Sequence, residues 1–78
     1  MNQALKILLE GEGFRQVRSG SCEFTKVHEQ SEARTYLFRV WLHKHGGQAE
    51  VSFNGARVSR IESWKSIDDL KDFFEEFQ

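Results

Sequence analysis

Residues 36–55 read YLFRVWLHKHGGQAEVSFNG, and apolar side chains recur at every second position on both sides of Gly46-Gly47. A period of two places alternate side chains on opposite faces of a β-sheet. The segment therefore predicts two antiparallel strands, at about residues 34–43 and 48–53, that share one apolar face. That face comprises Tyr36, Phe38, Val40, Leu42, Val51 and Phe53.

The turn signals on either side extend the sheet. Asn54-Gly55 predicts a type I′ hairpin turn, because such a turn needs positive φ at both central residues. A further strand is expected at about 57–62, where Val58 points inward and the poorer alternation indicates a bulge or an edge strand. An earlier strand is expected at about 22–28, with Cys22 in phase with Phe24 and hence a buried thiol.

One helix is predicted at each end of this segment. Asn2 is a good N-cap for a helix over residues 3–11, and its apolar stripe is expected to be Leu5, Leu8 and Leu9. Ser66, followed by Asp69 three residues later, predicts the cap of a helix over residues 67–77. The apolar stripe of that second helix comprises Ile67, Leu70, Phe73, Phe74 and Phe77, opposite an acidic face.

The predicted fold is α+β, in the order α-β-β-β-β-α, and residues 1–78 form one small globular domain. A four-stranded antiparallel meander carries both helices on the face of Tyr36 and Phe38. A chain of 78 residues buries only about 60% of its unfolded surface, so its large side chains carry the core. Seven Phe, two Trp and one Tyr supply them.

Composition limits the compartment and the partners. One cysteine cannot form an internal disulfide, and no apolar run follows Met1 as a signal peptide would or is long enough to span a membrane. We therefore expect a cytoplasmic protein with no membrane contact. The net charge is −1, with the acids concentrated in residues 66–78, which argues against binding nucleic acid by bulk charge alone.

The second sheet face is expected to be open and is the candidate binding surface. It should display Glu23, Thr25, Leu37, Arg39, Trp41, His43, Glu50, Ser52, Arg57 and Ser59. Within this set, the predicted binding residues are Leu37, Arg39, Trp41, His43 and Arg57. Tryptophan beside arginine is typical of protein–protein hot spots and of stacking platforms for single-stranded nucleic acid. The structural alternative is that Trp41 only packs under the aliphatic stems of Arg39 and Arg57.

The histidines and the cysteine give a weaker indication of a metal site. His43 and His45 on one strand end, with Cys22 or His28, could bind zinc, but the chain has no Cys-x-x-Cys motif. We interpret these histidines as exposed loop residues, and we expect no metal, no cofactor and no catalysis.

Residues 8–21, LLEGEGFRQVRSGS, resemble the opening of HicA-type toxins, in which a first helix leads through a Gly-aromatic pair into a strand with a Gly-Ser-His signature. The resemblance covers about residues 4–26 and implies a fold like that of double-stranded-RNA-binding domains and cleavage of mRNA. Gly20 and Ser21 match the signature, and Cys22 stands at the position of the catalytic histidine.

Together these observations predict a small non-catalytic accessory or regulatory protein, of the kind that phages and plasmids encode. Its partner is expected to be a protein that docks on the open face. The alternatives are a nucleic-acid-binding module that uses Arg39, Trp41 and Arg57, and a HicA-like ribonuclease toxin or a degenerate relative. A homodimer formed through strand edges or sheet faces is a further version of the protein partner.

Overall fold

The computed structural model describes residues 2–78, and its sheet has five antiparallel strands in the order β1-β2-β3-β4-β5. The elements are α1 (Gln3–Gly11), β1 (Arg15–Gln16), β2 (Glu23–Ser31), β3 (Arg34–His43), β4 (Gly46–Phe53), β5 (Ala56–Trp64), α2 (Ile67–Phe74) and a 3₁₀ turn (Glu75–Phe77). The α+β class and the antiparallel sheet are confirmed. The predicted count of four strands is wrong, because the two residues of β1 pair with Phe24 and Thr25 of β2. A two-residue strand is too short to show any periodicity.

Strands β2 to β5 form a meander in which two-residue turns join consecutive strands, at residues 32–33, 44–45 and 54–55. Asn54 and Gly55 have φ of 52° and 81°, which is the conformation predicted for the type I′ turn. Gly46 has a φ of 119°, and a Cβ there would collide with the carbonyl of Trp64. Glycine is therefore required where β4 begins.

Both helices cover the predicted apolar face of the sheet. The rings of Phe38 and Phe74 stack with centroids 4.3 Å apart, and Leu9 of α1 is fully buried in the same core. The core comprises Leu9, Phe14, Phe24, Tyr36, Phe38, Val40, Leu42, Ala49, Val51, Trp64, Leu70 and Phe74. The prediction for Leu8 is wrong, since it is half exposed. Leu9 and Leu5, four residues apart, face the core, and Leu8 lies about 100° around the helix from Leu9.

Strand β5 carries two register shifts, as its poor alternation predicted. Ser52 pairs with Arg57 but Val51 pairs with Ser59, so Val58 is an extra residue without a partner in β4. The prediction that Val58 points inward is therefore wrong, and its side chain is half exposed. Ser59 lies opposite Val51 and hence on the helix-covered face, so its predicted place on the open face is also wrong.

The second register shift brings Trp64 opposite Gly47. The indole is 1% exposed, and its Nε1 donates a hydrogen bond to the Gln48 carbonyl at 2.8 Å. Trp64 thus closes the end of the core where β5 leads into α2.

The predicted cap of α2 is present. Ser66 Oγ accepts from the backbone N–H of Asp69, and the Asp69 carboxylate accepts from the backbone N–H groups of Ser66 and Lys65. These two backbone hydrogen bonds lower the pKa of Asp69. Farther along α2, Lys71 contacts Glu12 at 2.9 Å, which raises the pKa of Lys71 and joins the two helical ends of the chain.

Candidate binding surface on the open sheet face

The central part of the open face, which the helices leave uncovered, consists of three rows of side chains that run across the strands. Cross-strand partners point to the same side of a sheet, so the pairing registers define each row. The first row is Val27, Leu37, Ser52 and Arg57; the second is Arg15, Thr25, Arg39, Glu50 and Arg60; the third is Glu23, Trp41 and Gln48. Successive rows lie about 7 Å apart, the rise of two residues in a strand.

Arg39 lies at the centre of this face between two carboxylates. Its Nη1 donates to Glu50 Oε2 at 3.2 Å, and its Nε lies 3.0 Å from Glu23 Oε2 in an ion pair that lacks hydrogen-bond geometry. The side chains of Arg39 and Glu23 are about a third exposed, whereas that of Glu50 is only 11% exposed. Glu50 is therefore a largely buried carboxylate whose charge is compensated by Arg39, with Ser52 Oγ 3.5 Å away.

Trp41 is half-buried in the third row. The guanidinium carbon of Arg39 lies 6.0 Å from the centroid of its ring, at the limit of a cation–π contact. Part of the indole is thus covered by Arg39. Arg57, by contrast, belongs to the first row, about 14 Å along the strands from Trp41. Arg57 therefore does not cover Trp41, and the contact recorded for Arg39 is that of its guanidinium group.

A concave groove lies at the end of the open face nearest the turn at Asn54-Gly55. Its volume is about 290 Å³, and its lining includes Leu37, Arg39 and Arg57 among the predicted binding residues. The rest of the lining comprises Val27, Thr35, Tyr36, Glu50 and Ser52 of the strands and Asn54 and Gly55 of the turn. The structure therefore brings these three predicted residues together around one cavity, with Trp41 beyond them and outside it.

His43 lies at the opposite end of β3 and is exposed. It lines a different cavity, of about 710 Å³, together with Cys22 and His45. The thiol of Cys22 is exposed, so the prediction of a buried cysteine is wrong. Cys22 precedes β2, and its position relative to Phe24 therefore does not follow strand alternation.

His28 lies apart from the other histidines. Its partner in β3 is Tyr36, so it points to the helix-covered face, where its ring stacks on Phe38 with centroids 5.3 Å apart. Within residues 2–78, no group of three or more His, Cys, Asp or Glu side chains is arranged to hold a metal ion.

Sequence reasoning missed several residues of the open face, among them Arg15, Val27, Gln48 and Arg60. Val27 lies within the strand expected at about 22–28 and in phase with Glu23 and Thr25, so the alternation that placed those two residues on this face was the signal that could have found it. Arg60 is the partner of Glu50 and forms an ion pair with Glu62 at 3.0 Å. Only the bulge at Val58 puts Arg60 on the open face, and nothing in the sequence fixes the position of that bulge.

Comparisons with protein-family models, curated proteins and solved structures give no match to this chain. In the part of the chain that the structure describes, no helix is long and apolar enough to cross a membrane.

Proposed function

We propose that this chain is a non-catalytic binding module and that its open sheet face contacts a protein partner. The observation that supports this most is that both helices cover the same side of the sheet. The other side is left with a half-buried tryptophan, an arginine over its ring and the exposed Val27. Tryptophan and arginine are the residues most enriched among the energetic hot spots of protein interfaces.

The charges of the open face favour a protein over a nucleic acid. Arg39 is held by Glu23 and Glu50, and Arg60 is held by Glu62. A nucleic-acid backbone would find Arg57 without an ion pair, but it would have to compete with these carboxylates for Arg39 and Arg60 and would meet their negative charges at close range. A protein surface with mixed charges meets no such conflict.

The test uses the whole chain as bait in a lysate of its native cells, with and without nuclease and at two salt concentrations. Trp41→Ala removes the proposed anchor, and Ile7→Ala is the matched control, since Ile7 is exposed on α1 away from this face. We expect wild type and Ile7→Ala to retain a protein regardless of nuclease. We expect Trp41→Ala to lose about 2 kcal/mol of binding free energy for that protein, which corresponds to roughly 30-fold weaker binding.

Two results would contradict the proposal. Equal retention by Trp41→Ala would show that the partner binds elsewhere. Recovery of nucleic acid that disappears at the higher salt concentration would favour the nucleic-acid alternative, because phosphate contacts release counterions.

A HicA-like ribonuclease toxin is the second candidate. The observation that favours it is that the exposed thiol of Cys22, which stands at the position of the family's catalytic histidine, shares a cavity with His43 and His45. Induced expression would then arrest growth, and Cys22→Ala would abolish the arrest while Val58→Ala would not. Growth unaffected by the wild-type chain, or arrest that persists in Cys22→Ala, would refute this candidate.

A further inference from the structure

The groove beside the Asn54-Gly55 turn changes in chemical character from one side to the other. Val27 and Leu37 are cross-strand partners and form an apolar floor on β2 and β3. Ser52 and Arg57, partners on β4 and β5, continue the same row toward the edge of the sheet. The row therefore leads from an aliphatic surface to a guanidinium group over three strand spacings, or about 14 Å.

Arg57 differs from Arg39 and Arg60 of the open face. Arg39 and Arg60 form ion pairs with carboxylates of the same face. Among residues 2–78, Arg57 has no carboxylate within ion-pair distance, and its side chain is exposed. Arg15, the partner of Thr25, also forms no ion pair among these residues, but it lies at the β1 edge and does not line the groove. Arg57 is therefore the positive charge at the groove that a ligand could pair with without displacing an existing partner.

We infer that the groove binds a segment of a partner protein that carries an aliphatic side chain next to a carboxylate. The aliphatic side chain packs on Val27 and Leu37, and the carboxylate pairs with Arg57. The inference rests on the proposed function, since it names the partner chemistry of the same face. The volume of about 290 Å³ lies at the small end of binding cavities and suits one or two side chains of an extended segment.

Two other occupants fit the observations less well. A chain of phosphates would need several neighbouring cations without ion pairs, and Arg57 is the single such cation at this end of the face among the described residues. A second copy of this chain could offer the acidic face of α2, but the apolar residues of α2 pack against its own core. That helix cannot present an aliphatic side chain and a carboxylate together; α1 exposes Ile7 and Leu8 near Glu10, and the dimerisation measurement below tests that occupant.

The test titrates three capped dipeptides into the full-length ¹⁵N-labelled chain and follows backbone amide shifts. The probes are acetyl-Leu-Glu-amide, acetyl-Leu-Gln-amide without the charge, and acetyl-Ala-Glu-amide without the aliphatic side chain. We expect acetyl-Leu-Glu-amide to shift the amides of Leu37, Ser52 and Arg57. Either altered probe should bind at least about fivefold more weakly, which corresponds to the loss of one modest contact.

Arg57→Gln should weaken acetyl-Leu-Glu-amide at least fivefold and leave acetyl-Leu-Gln-amide unchanged. Arg18→Gln is the matched control, because Arg18 is also exposed and lies in the loop between β1 and β2. No shift at the groove, or equal affinity of Arg57→Gln and wild type, would overturn the inference.

The inference and the proposed function fail in different ways. A protein captured through Trp41 but unaffected by Arg57→Gln would leave the proposed function standing and remove the groove from it. Concentration-dependent dimerisation of the wild-type chain that Arg57→Gln abolishes would replace the partner segment with a second copy.

Discussion

Replacing Arg39 with methionine removes the cation that lies between Glu23 and Glu50 and keeps a side chain of similar length. Glu50 is 11% exposed, so it would be left as a largely buried carboxylate without its counter-charge. Removing one partner of a fully buried ion pair destabilises a protein by about 3–5 kcal/mol, whereas an exposed pair contributes about 0.2–1 kcal/mol. Because Arg39 and Glu23 are each about a third exposed, we expect a loss of about 2 kcal/mol.

Urea unfolding followed by tryptophan fluorescence measures this loss. A chain of 78 residues has a free energy of unfolding of roughly 4–12 kcal/mol, so Arg39→Met should still fold. Its midpoint should fall by roughly 1–2 M urea. Arg57→Met is the matched control, since it removes an exposed arginine of the same face that forms no ion pair among the described residues. That control should change stability by less than about 0.5 kcal/mol.

A double-mutant cycle with Glu50→Gln assigns the loss to the ion pair itself. The two single changes should couple by about 1 kcal/mol or more, with the double variant more stable than additivity predicts. A coupling near zero, or an equal loss in Arg57→Met, would refute the argument that Arg39 compensates a buried charge.

Three further predictions concern the fold. Phe38→Ala should lower the free energy of unfolding by about 3–5 kcal/mol, whereas Trp41→Ala should leave the fold intact; equal losses would contradict the face assignment. The folded state lowers the pKa of Asp69, so the ionised carboxylate stabilises the fold at neutral pH, and this stabilisation is lost as the pH falls through and below 3.8. In acid titrations monitored by circular dichroism, the stability of wild type should therefore approach that of Asp69→Asn. Gly46→Ala should unfold at a markedly lower temperature than wild type in calorimetry, because a Cβ collides with the Trp64 carbonyl, and an unchanged midpoint would refute this.

The central part of the fold could be predicted because local signals there agree with one another. The alternation of residues 34–43 gives strand β3 its observed bounds, and Asn54-Gly55 fixes the following turn. The cap at Ser66 and the apolar stripe after it locate the start of α2. In each case the pattern that forms the element is contained within the element itself.

The errors concern contacts between distant parts of the chain. The exposure of Leu8 depends on how α1 lies against the core, and the orientation of Val58 depends on a bulge that the pairing with β4 decides. The burial of Trp64 depends on the second bulge and on Gly47 opposite it. Periodicity carries no information on such shifts, because one extra residue exchanges the two faces for every residue that follows.

The same limit applies to the candidate site. Leu37, Arg39 and Trp41 share a face because they alternate on one strand, and the sequence predicts this. The sequence does not show that Leu37 lines a groove, that Arg39 forms ion pairs, or that Arg39 lies over the ring of Trp41. These features depend on the partners of β3 in β2 and β4 and, through β4, on β5. Those partners can be read only from the pairing registers.

The short turns of the meander have a kinetic consequence. Consecutive strands from β2 to β5 pair with each other, so most of the sheet forms through local contacts, which favours rapid folding. The contact of Phe14 with Phe74, which closes the core, joins distant residues instead, as does the exposed ion pair of Glu12 with Lys71. During synthesis, the aromatic face of the sheet therefore stays accessible to other chains until residues 67–74 emerge, and aggregation competes with folding in that interval.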